Sequence, residues 1–294
     1  MEFDDVRAFV TIADVGSVSL AARDLNVTQS AVTRRLQRLE TSLGTTLVDR
    51  RTRPVILTGV GQAALERCRR LLNDVHEVRA AASNGSLPQG EIRIGVAHAL
   101  TELTLLEPVG EIRRKFPHIG LRLSTAWSRE LRDRVRSGAL DAAVILLPEE
   151  EPLPVQVIGK RVGKERLVVV ASRQYPSRRV RKIQDLAGVQ WVLNPEGCAA
   201  RAALRKMLLR ADIDMVVAVE AYNYELQLSL VAQNRGLSLV PERILTRSRQ
   251  RSHLRVLHVP ELEFPLSIWV LHRELLVGLA QVTAELSRVL MERL

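Results

Sequence analysis

The chain has 294 residues, is 46% hydrophobic but only 3% aromatic, and carries a formal net charge of +10. Its length suits about two domains by a prior of roughly 100–200 residues each, and its composition suits globular domains with aliphatic cores. No apolar run approaches the roughly 18 residues of a membrane helix, the acidic start MEFDDVRAF lacks the segments of a secretory leader, and Cys68 and Cys198 form neither a CxxC nor a Cys/His cluster, so a cytoplasmic protein with no membrane partner, zinc site or disulfide framework is expected.

Residues 1–86 hold 12 Lys/Arg against 10 Asp/Glu, and the rest hold 31 against 23, so most of the positive surplus lies in the C-terminal part. Local density runs the other way. Residues 29–53 hold six arginines (Arg34, Arg35, Arg38, Arg50, Arg51 and Arg53) against Glu40 and Asp49, and such clusters bind phosphates.

Phe3, Val6, Val10 and Ala13 recur at helical steps and predict a first helix. Gly16 ends it, and Ser17 is placed to cap a second helix whose inner face is Val18, Ala21, Ala22 and Leu25. Asn26 suits a turn, and Thr28 caps a third helix with Val32, Leu36, Leu39 and Leu43 facing inward. Gln29, Ser30, Thr33, Arg34 and Gln37 remain outside. Two short helices joined by a tight turn, the second carrying polar and basic side chains, form the arrangement that enters a DNA major groove. Arg there can grip guanine, Gln adenine, and Ser or Thr a base or phosphate.

TTLVDRRTRPVILT then reads as two short extended pieces joined by Arg50, Arg51, Arg53 and Pro54, a wing whose arginines would reach phosphates or the minor groove. Ala64, Cys68, Leu71, Val75, Val78 and Ala82 follow at heptad spacing, widened by Leu65 and Leu72. That stripe predicts either a dimerising helix or a helix packed on its own domain. As a dimerising helix, residues 59–87 would hold two reading heads at the separation of two half-sites. Residues 84–90 read as a hinge.

On FVTIADVGSVSLAARDLNVTQSAVTRRLQRLETSLGTTLVDR, LTGVGQA and the later pieces EIRIGVA, KFP, SGALDAAVI and GLSLVPE, the chain resembles LysR-type transcriptional regulators over its whole length. Val48 departs from the pattern, which commonly has an aromatic residue there. The resemblance implies a winged helix-turn-helix over 1–58, a dimerisation helix and hinge over 59–87, and an effector-binding domain over 88–294. It implies that Ser17, Thr28, Gln29, Ser30, Thr33, Arg34, Gln37 and the wing arginines Arg50, Arg51 and Arg53 face operator DNA. It further implies a homodimer built into a tetramer, contact with RNA polymerase, and no cofactor.

From Gly90 onward, strand-like runs alternate with helical periodicity, which predicts α/β layers with largely parallel sheets. Strands are expected at Glu91–Ala97, Leu121–Thr125, Asp141–Leu147, Arg166–Ser172, Val189–Leu193, Met215–Glu220, Leu237–Val240 and Leu266–Leu271. The fold class is thus α/β behind an N-terminal all-α winged helix-turn-helix. By resemblance the effector domain is like periplasmic binding proteins, with subdomain I at about 90–162 and 267–294 and subdomain II at about 163–266. Ligands in such sheets bind beyond the carboxyl ends of strands. The candidate effector residues are therefore Ala97, His98, Ala99, Thr101, Trp127, Ser128, Gly197, Cys198, Tyr222 and Asn223. Helix N-termini and the basic surplus favour an anionic ligand group, and the effector is expected to be small and either anionic or aromatic. One departure stands out: the family often has Ser or Thr near Ala99 to hold a carboxylate.

Two other classes compete. A ligand-independent or redox-sensing regulator would use the same reading head, with Cys198 as the sensor. An enzyme on the same binding fold would need a catalytic constellation, and the six scattered histidines show no metal spacing or nucleophile motif.

Overall fold

The computed structural model describes residues 1–49, 52, 54–81, 88, 90–101, 106–149, 151–153, 157–176, 180–262, 265–273 and 277–294. The chain divides into two compact units, the first built on Met1–Ser86 and the second on Leu87–Leu294 apart from Ser137–Ala139.

In the first unit, helices α1 (Phe3–Val15), α2 (Val18–Asp24) and α3 (Gln29–Leu43) precede a two-stranded ribbon, β1 (Val48–Asp49) and β2 (Ile56–Leu57), and the long helix α4 (Gly59–Ala81). Helix ends follow the local chemistry. Gly16 and Gly44 take the left-handed conformation at φ 66° and 65° and close α1 and α3, a conformation glycine adopts without a Cβ penalty. Ser17 Oγ accepts the Leu20 N–H at 3.4 Å, and Thr28 Oγ1 accepts the Ala31 N–H at 3.2 Å. The core joins Val6, Phe9 and Ile12 of α1 to Val32, Leu36 and Leu39 of α3, with Leu47, Leu65 and Cys68. Leu43, expected inside, is exposed in the last turn of α3.

The second unit holds strands β3 (Gly90–Ala97), β4 (Ile119–Ala126), β5 (Ala142–Pro148) and β6 (Ile158–Ser172), then β7 (Gln190–Leu193), β8 (Val216–Glu220), β9 (Ser238–Pro241), β10 (Leu254–Leu257) and β11 (Pro265–His272). Its helices are α5 (Leu106–Lys115), α6 (Ser128–Arg136), α7 (Ala199–Arg210), α8 (Tyr224–Ala232), α9 (Glu242–Arg247) and α10 (Val277–Arg293). Among the described residues the main sheet runs β10-β6-β11-β5-β3-β4, with β9 also on β6, and β7 pairs with β8 separately.

The expectation of largely parallel sheets is corrected here. β3 is parallel to β4 and β5, and β7 to β8, but β6 is antiparallel to β9, β10 and β11, and β11 is antiparallel to β5. The reason is β6 itself, which runs 15 residues where only Arg166–Ser172 was expected. It pairs with β11 through Arg166 and with β9 from Leu167 onward. One strand therefore serves two groups of strands, and the return strand β11 must run against it. Strand Leu254–Leu257 and helix Glu242–Arg247 are additions to the sequence reading.

Candidate functional site

Helix α3 is held against α1 by both apolar and charged contacts. Arg35 donates to Asp4 Oδ2 at 2.9 Å, and Arg38 donates to Asp5 Oδ1 at 2.7 and 3.1 Å. Asp5 is buried and also accepts the Glu2 N–H at 3.0 Å, closing the start of α1. Two of the three arginines on α3 are thus structural. Arg34 is exposed and has no carboxylate partner among the described residues.

The outer residues gather on one face. Thr28, Gln29, Ser30, Arg34 and Gln37 are exposed, while Ser17 and Thr33 are half-buried. Some are already engaged: Ser19 Oγ donates to Gln29 Oε1 at 3.2 Å, Thr33 Oγ1 donates to the Gln29 carbonyl at 2.9 Å, and Thr28 and Ser30 share a bond at 3.0 Å. Ser17 and Thr28 are capping residues first, at the two helix starts nearest the turn. At the turn, Asn26 has φ 51°, a conformation its short polar side chain tolerates.

The ribbon pairs Val48 with Leu57 and Asp49 with Ile56. Glu40, buried at the end of α3, accepts the Leu47 N–H at 2.8 Å and the Val48 N–H at 3.4 Å, tying ribbon to helix. Val48 is buried, so the aliphatic residue fills its site. Arg50, Arg51 and Arg53 lie outside the described residues. Behind the ribbon, α4 comes so close that a Cβ on Gly61 would stand 1.9 Å from the Leu47 carbonyl oxygen.

The heptad stripe of α4 divides into two parts. Leu65 and Cys68 are buried in the core of their own unit, with Ala64 and Leu72 packed against it. Leu71 and Val78 are exposed, at 38% and 69%. The first part obeys the own-domain alternative, and the second leaves an apolar face uncovered.

In the second unit, β3, β4, β5 and β7 bring their carboxyl ends to a small cavity lined by Ala97, His98, Ala99, Trp127, Ser128, Leu146, Cys198, Ala199, Ala200, Tyr224 and Pro241, with a volume of about 10 Å³. Six of the expected residues meet there: Ala97, His98, Ala99, Trp127, Ser128 and Cys198. Gly197 adjoins them with φ +97°, and a Cβ on it would stand 3.3 Å from Trp127 Cβ. Thr101 turns its hydroxyl back to the Ala97 carbonyl at 3.3 Å. Tyr222 and Asn223 are corrected. Tyr222 is 70% exposed, and Asn223 caps α8 by accepting the Glu225 and Leu226 N–H groups at 2.8 and 3.1 Å. Beside Trp127, the tyrosine in the cavity is Tyr224, within α8, where the helix turns its side chain inward. A helical offset of two residues from Tyr222 was the available signal.

The titratable groups here are held neutral. Burial pushes the Cys198 thiol above its ordinary range, outweighing its hydrogen bonds to neighbouring groups and the charge of Arg201. Burial and the neighbouring thiol push the Tyr224 phenol well up. Burial also pulls His98 down, partly opposed by the Glu130 carboxylate. A raised thiol is the reverse of what a redox sensor needs, and Cys68 is raised by burial as well. Among the described residues no group of three His, Cys, Asp or Glu could hold a metal ion, and no helix is long and apolar enough to cross a membrane.

Residues 3–62 match the pattern of the "bacterial regulatory helix-turn-helix protein, lysR family", and residues 85–286 match the "LysR substrate binding domain". The chain is 30% identical to the HTH-type transcriptional regulator GltR of Bacillus subtilis over 255 residues, 87% of this chain and 84% of that protein. It is 28% identical to the HTH-type transcriptional regulator CzcR of Bacillus anthracis, over 89% of this chain and 87% of the relative. Among solved structures it is similar to a full-length OxyR variant from Pseudomonas aeruginosa, with TM-score 0.75, 21% identity and coverage of 99% and 94%. It is also similar to full-length CbnR complexed with its target DNA, with TM-score 0.61, 21% identity and coverage of 98% and 100%.

Proposed function

The chain belongs to the LysR family of DNA-binding transcriptional regulators with an effector-binding domain, and from that premise we propose which residues read DNA and which receive the effector. Gln29, Ser30, Thr33, Arg34 and Gln37 face the operator bases. Ser17 and Thr28 take phosphates, and the wing arginines Arg50, Arg51 and Arg53 reach phosphates or the minor groove. One observation supports this most: α3 commits Arg35 and Arg38 to Asp4 and Asp5 of α1, while Arg34 on α3 stands exposed without a carboxylate partner among the described residues. Replacing Arg34 by Ala should lower operator affinity by about 1–3 kcal/mol and relax base preference at one position of each half-site. Titration against a panel of single-base operator variants measures both, and unchanged affinity and preference would overturn the assignment.

The wider reading keeps 1–58 as the reading head, 59–87 as the dimerisation helix and hinge, and 88–294 as the effector domain with its two subdomains. The exposed Leu71 and Val78 support pairing of two α4 helices, and a tetramer made of two such dimers follows the family. RNA polymerase as partner, a cytoplasmic location and the absence of enzyme activity rest on the relatives being transcriptional regulators. The effector site is the cavity around His98, Trp127, Ser128, Cys198 and Tyr224. Its small volume also favours a second reading, a regulator that needs no ligand, because a site of about 10 Å³ has room for about one water.

A further inference from the structure

The cavity is small because Ser128, Cys198 and the start of α6 already have partners and its middle is filled. Ser128 Oγ accepts the Leu146 N–H at 3.2 Å. Cys198 Sγ lies 3.7 Å from Tyr224 Oη and 3.8 Å from Asn194 Oδ1. At the start of α6, the Arg129 N–H points at the Gly197 carbonyl at 3.4 Å, so this helix-end donor is also taken. The Trp127 ring fills the space between. Its centroid lies 4.6 Å from the His98 ring, tilted by 58°, and 6.2 Å from the Tyr224 ring, edge-on at 63°. Both separations are those of favourable aromatic pairs. Gly197 has no side chain where one would crowd the Trp127 Cβ.

We propose that Trp127 is the chain's own occupant of the effector cleft, and that the ligand able to replace it is a planar, uncharged aromatic molecule. This rests on the cavity being the effector site. A benzene-sized ligand needs a cavity on the order of 150 Å³, and moving the indole off His98 is the direct way to provide it. The incoming ring would repeat the tilted and edge-on contacts to His98 and Tyr224 that Trp127 gives up. A carboxylate would meet no cation: among the described residues no Lys or Arg lines the cavity. Arg201, three residues beyond Cys198, is committed to the Asn194 carbonyl at 2.9 Å, Glu196 at 3.0 Å and Glu220 at 2.5 Å. His98 is kept neutral by burial, and an unpaired charge placed among such groups is strongly disfavoured.

Benzamide and benzoate have the same shape and differ in charge, and thermal shift with full-length wild type, Trp127→Ala and Trp127→Phe separates the cases. Benzamide should bind Trp127→Ala at least tenfold more tightly than wild type, with Trp127→Phe between them, and benzoate at least tenfold more weakly than benzamide. Equal benzamide binding by wild type and Trp127→Ala would overturn the plug, and benzoate binding as tight as benzamide would overturn the ligand class. Should Trp127→Ala not fold, wild type against Trp127→Phe gives the same ordering. Failure of the effector-site reading looks different: benzamide then binds Trp127→Ala as expected but leaves the operator affinity of the full-length variant unchanged.

Discussion

The two units treat their polar side chains in opposite ways. On α3, Arg34 and Gln37 project outward, and the helix is held by other residues: Arg35, Arg38 and the apolar stripe Val32, Leu36 and Leu39. In the cavity, Ser128 accepts the Leu146 N–H and the Cys198 thiol sits against Tyr224 and Asn194, and nearby Arg201 is bound to the Asn194 carbonyl, Glu196 and Glu220. A surface built to meet DNA can leave donors free, because water satisfies them until phosphates and bases do. A buried cavity cannot, because an unpaired buried polar group costs about 1–3 kcal/mol. The reading head is therefore ready as folded, whereas the cleft is closed by its own side chains.

The largest effect should come from breaking the scaffold of the head without touching its DNA face. Gly61→Ala would drive a Cβ to 1.9 Å from a backbone oxygen, Leu47 O, which has no side chain to swing away. Overpacking costs about 1–3 kcal/mol and occasionally more, and an obstacle made of backbone puts this case at the upper end. Calorimetry should show the first unit melting earlier and gel shift should show operator binding lost. A variant that melts and binds like wild type would show that α4 and the ribbon are not rigidly joined.

A matched pair of polar deletions sharpens the contrast. Ser128→Ala leaves the buried Leu146 N–H without its acceptor and should cost about 1–3 kcal/mol in urea unfolding, with operator affinity kept. Gln37→Ala on the exposed face should change stability by less than about 0.5 kcal/mol, yet weaken operator binding by about 1–3 kcal/mol. If both variants shift stability alone, or both shift DNA binding alone, the division between the two regions is wrong.

The head was largely legible because its signals are local. Gly16, Ser17, Asn26, Thr28 and Gly44 mark helix ends through their own backbone chemistry, and Val32, Leu36 and Leu39 repeat at helical spacing. Leu43 failed only because the helix ends one residue later and its last turn faces solvent. The α4 stripe showed apolar spacing but not that Cys68 is buried in the core of its unit while Leu71, three residues on, is exposed. In the second unit the strands were legible as apolar runs, but pairing direction is a long-range property. Nothing within Ile158–Ser172 announces that it changes partner at Leu167. Loop ends beyond the strands point to the surroundings of the cavity and to Tyr222, not to Tyr224, because a loop reading cannot see which residue a helix start turns inward. That Ser128 Oγ is taken up inside the fold depends on the Leu146 N–H, 18 residues away, and no motif encodes that.

The smallest effect expected is a pH dependence confined to the cleft. His98 is pulled below its ordinary 6.5 by burial, with Glu130 opposing, and the Cys198 thiol and Tyr224 phenol beside the cavity are pushed up and stay neutral. A group whose folded pKa is depressed takes up protons more readily in the unfolded chain, so stability rises with pH across the gap. The contribution is complete above about pH 6.5 and is lost as the pH falls toward the depressed folded value. Partial exposure of His98 keeps it modest. Trp127, tilted against that ring with centroids 4.6 Å apart, is the natural reporter. Its emission should change as the pH drops below about 6.5, and His98→Gln should flatten both that change and the matching part of the melting profile. Operator binding measured at pH 7.5 should not respond to His98→Gln, since the head shares none of these groups. A response there would mean that the closed cleft already acts on the reading head without a ligand.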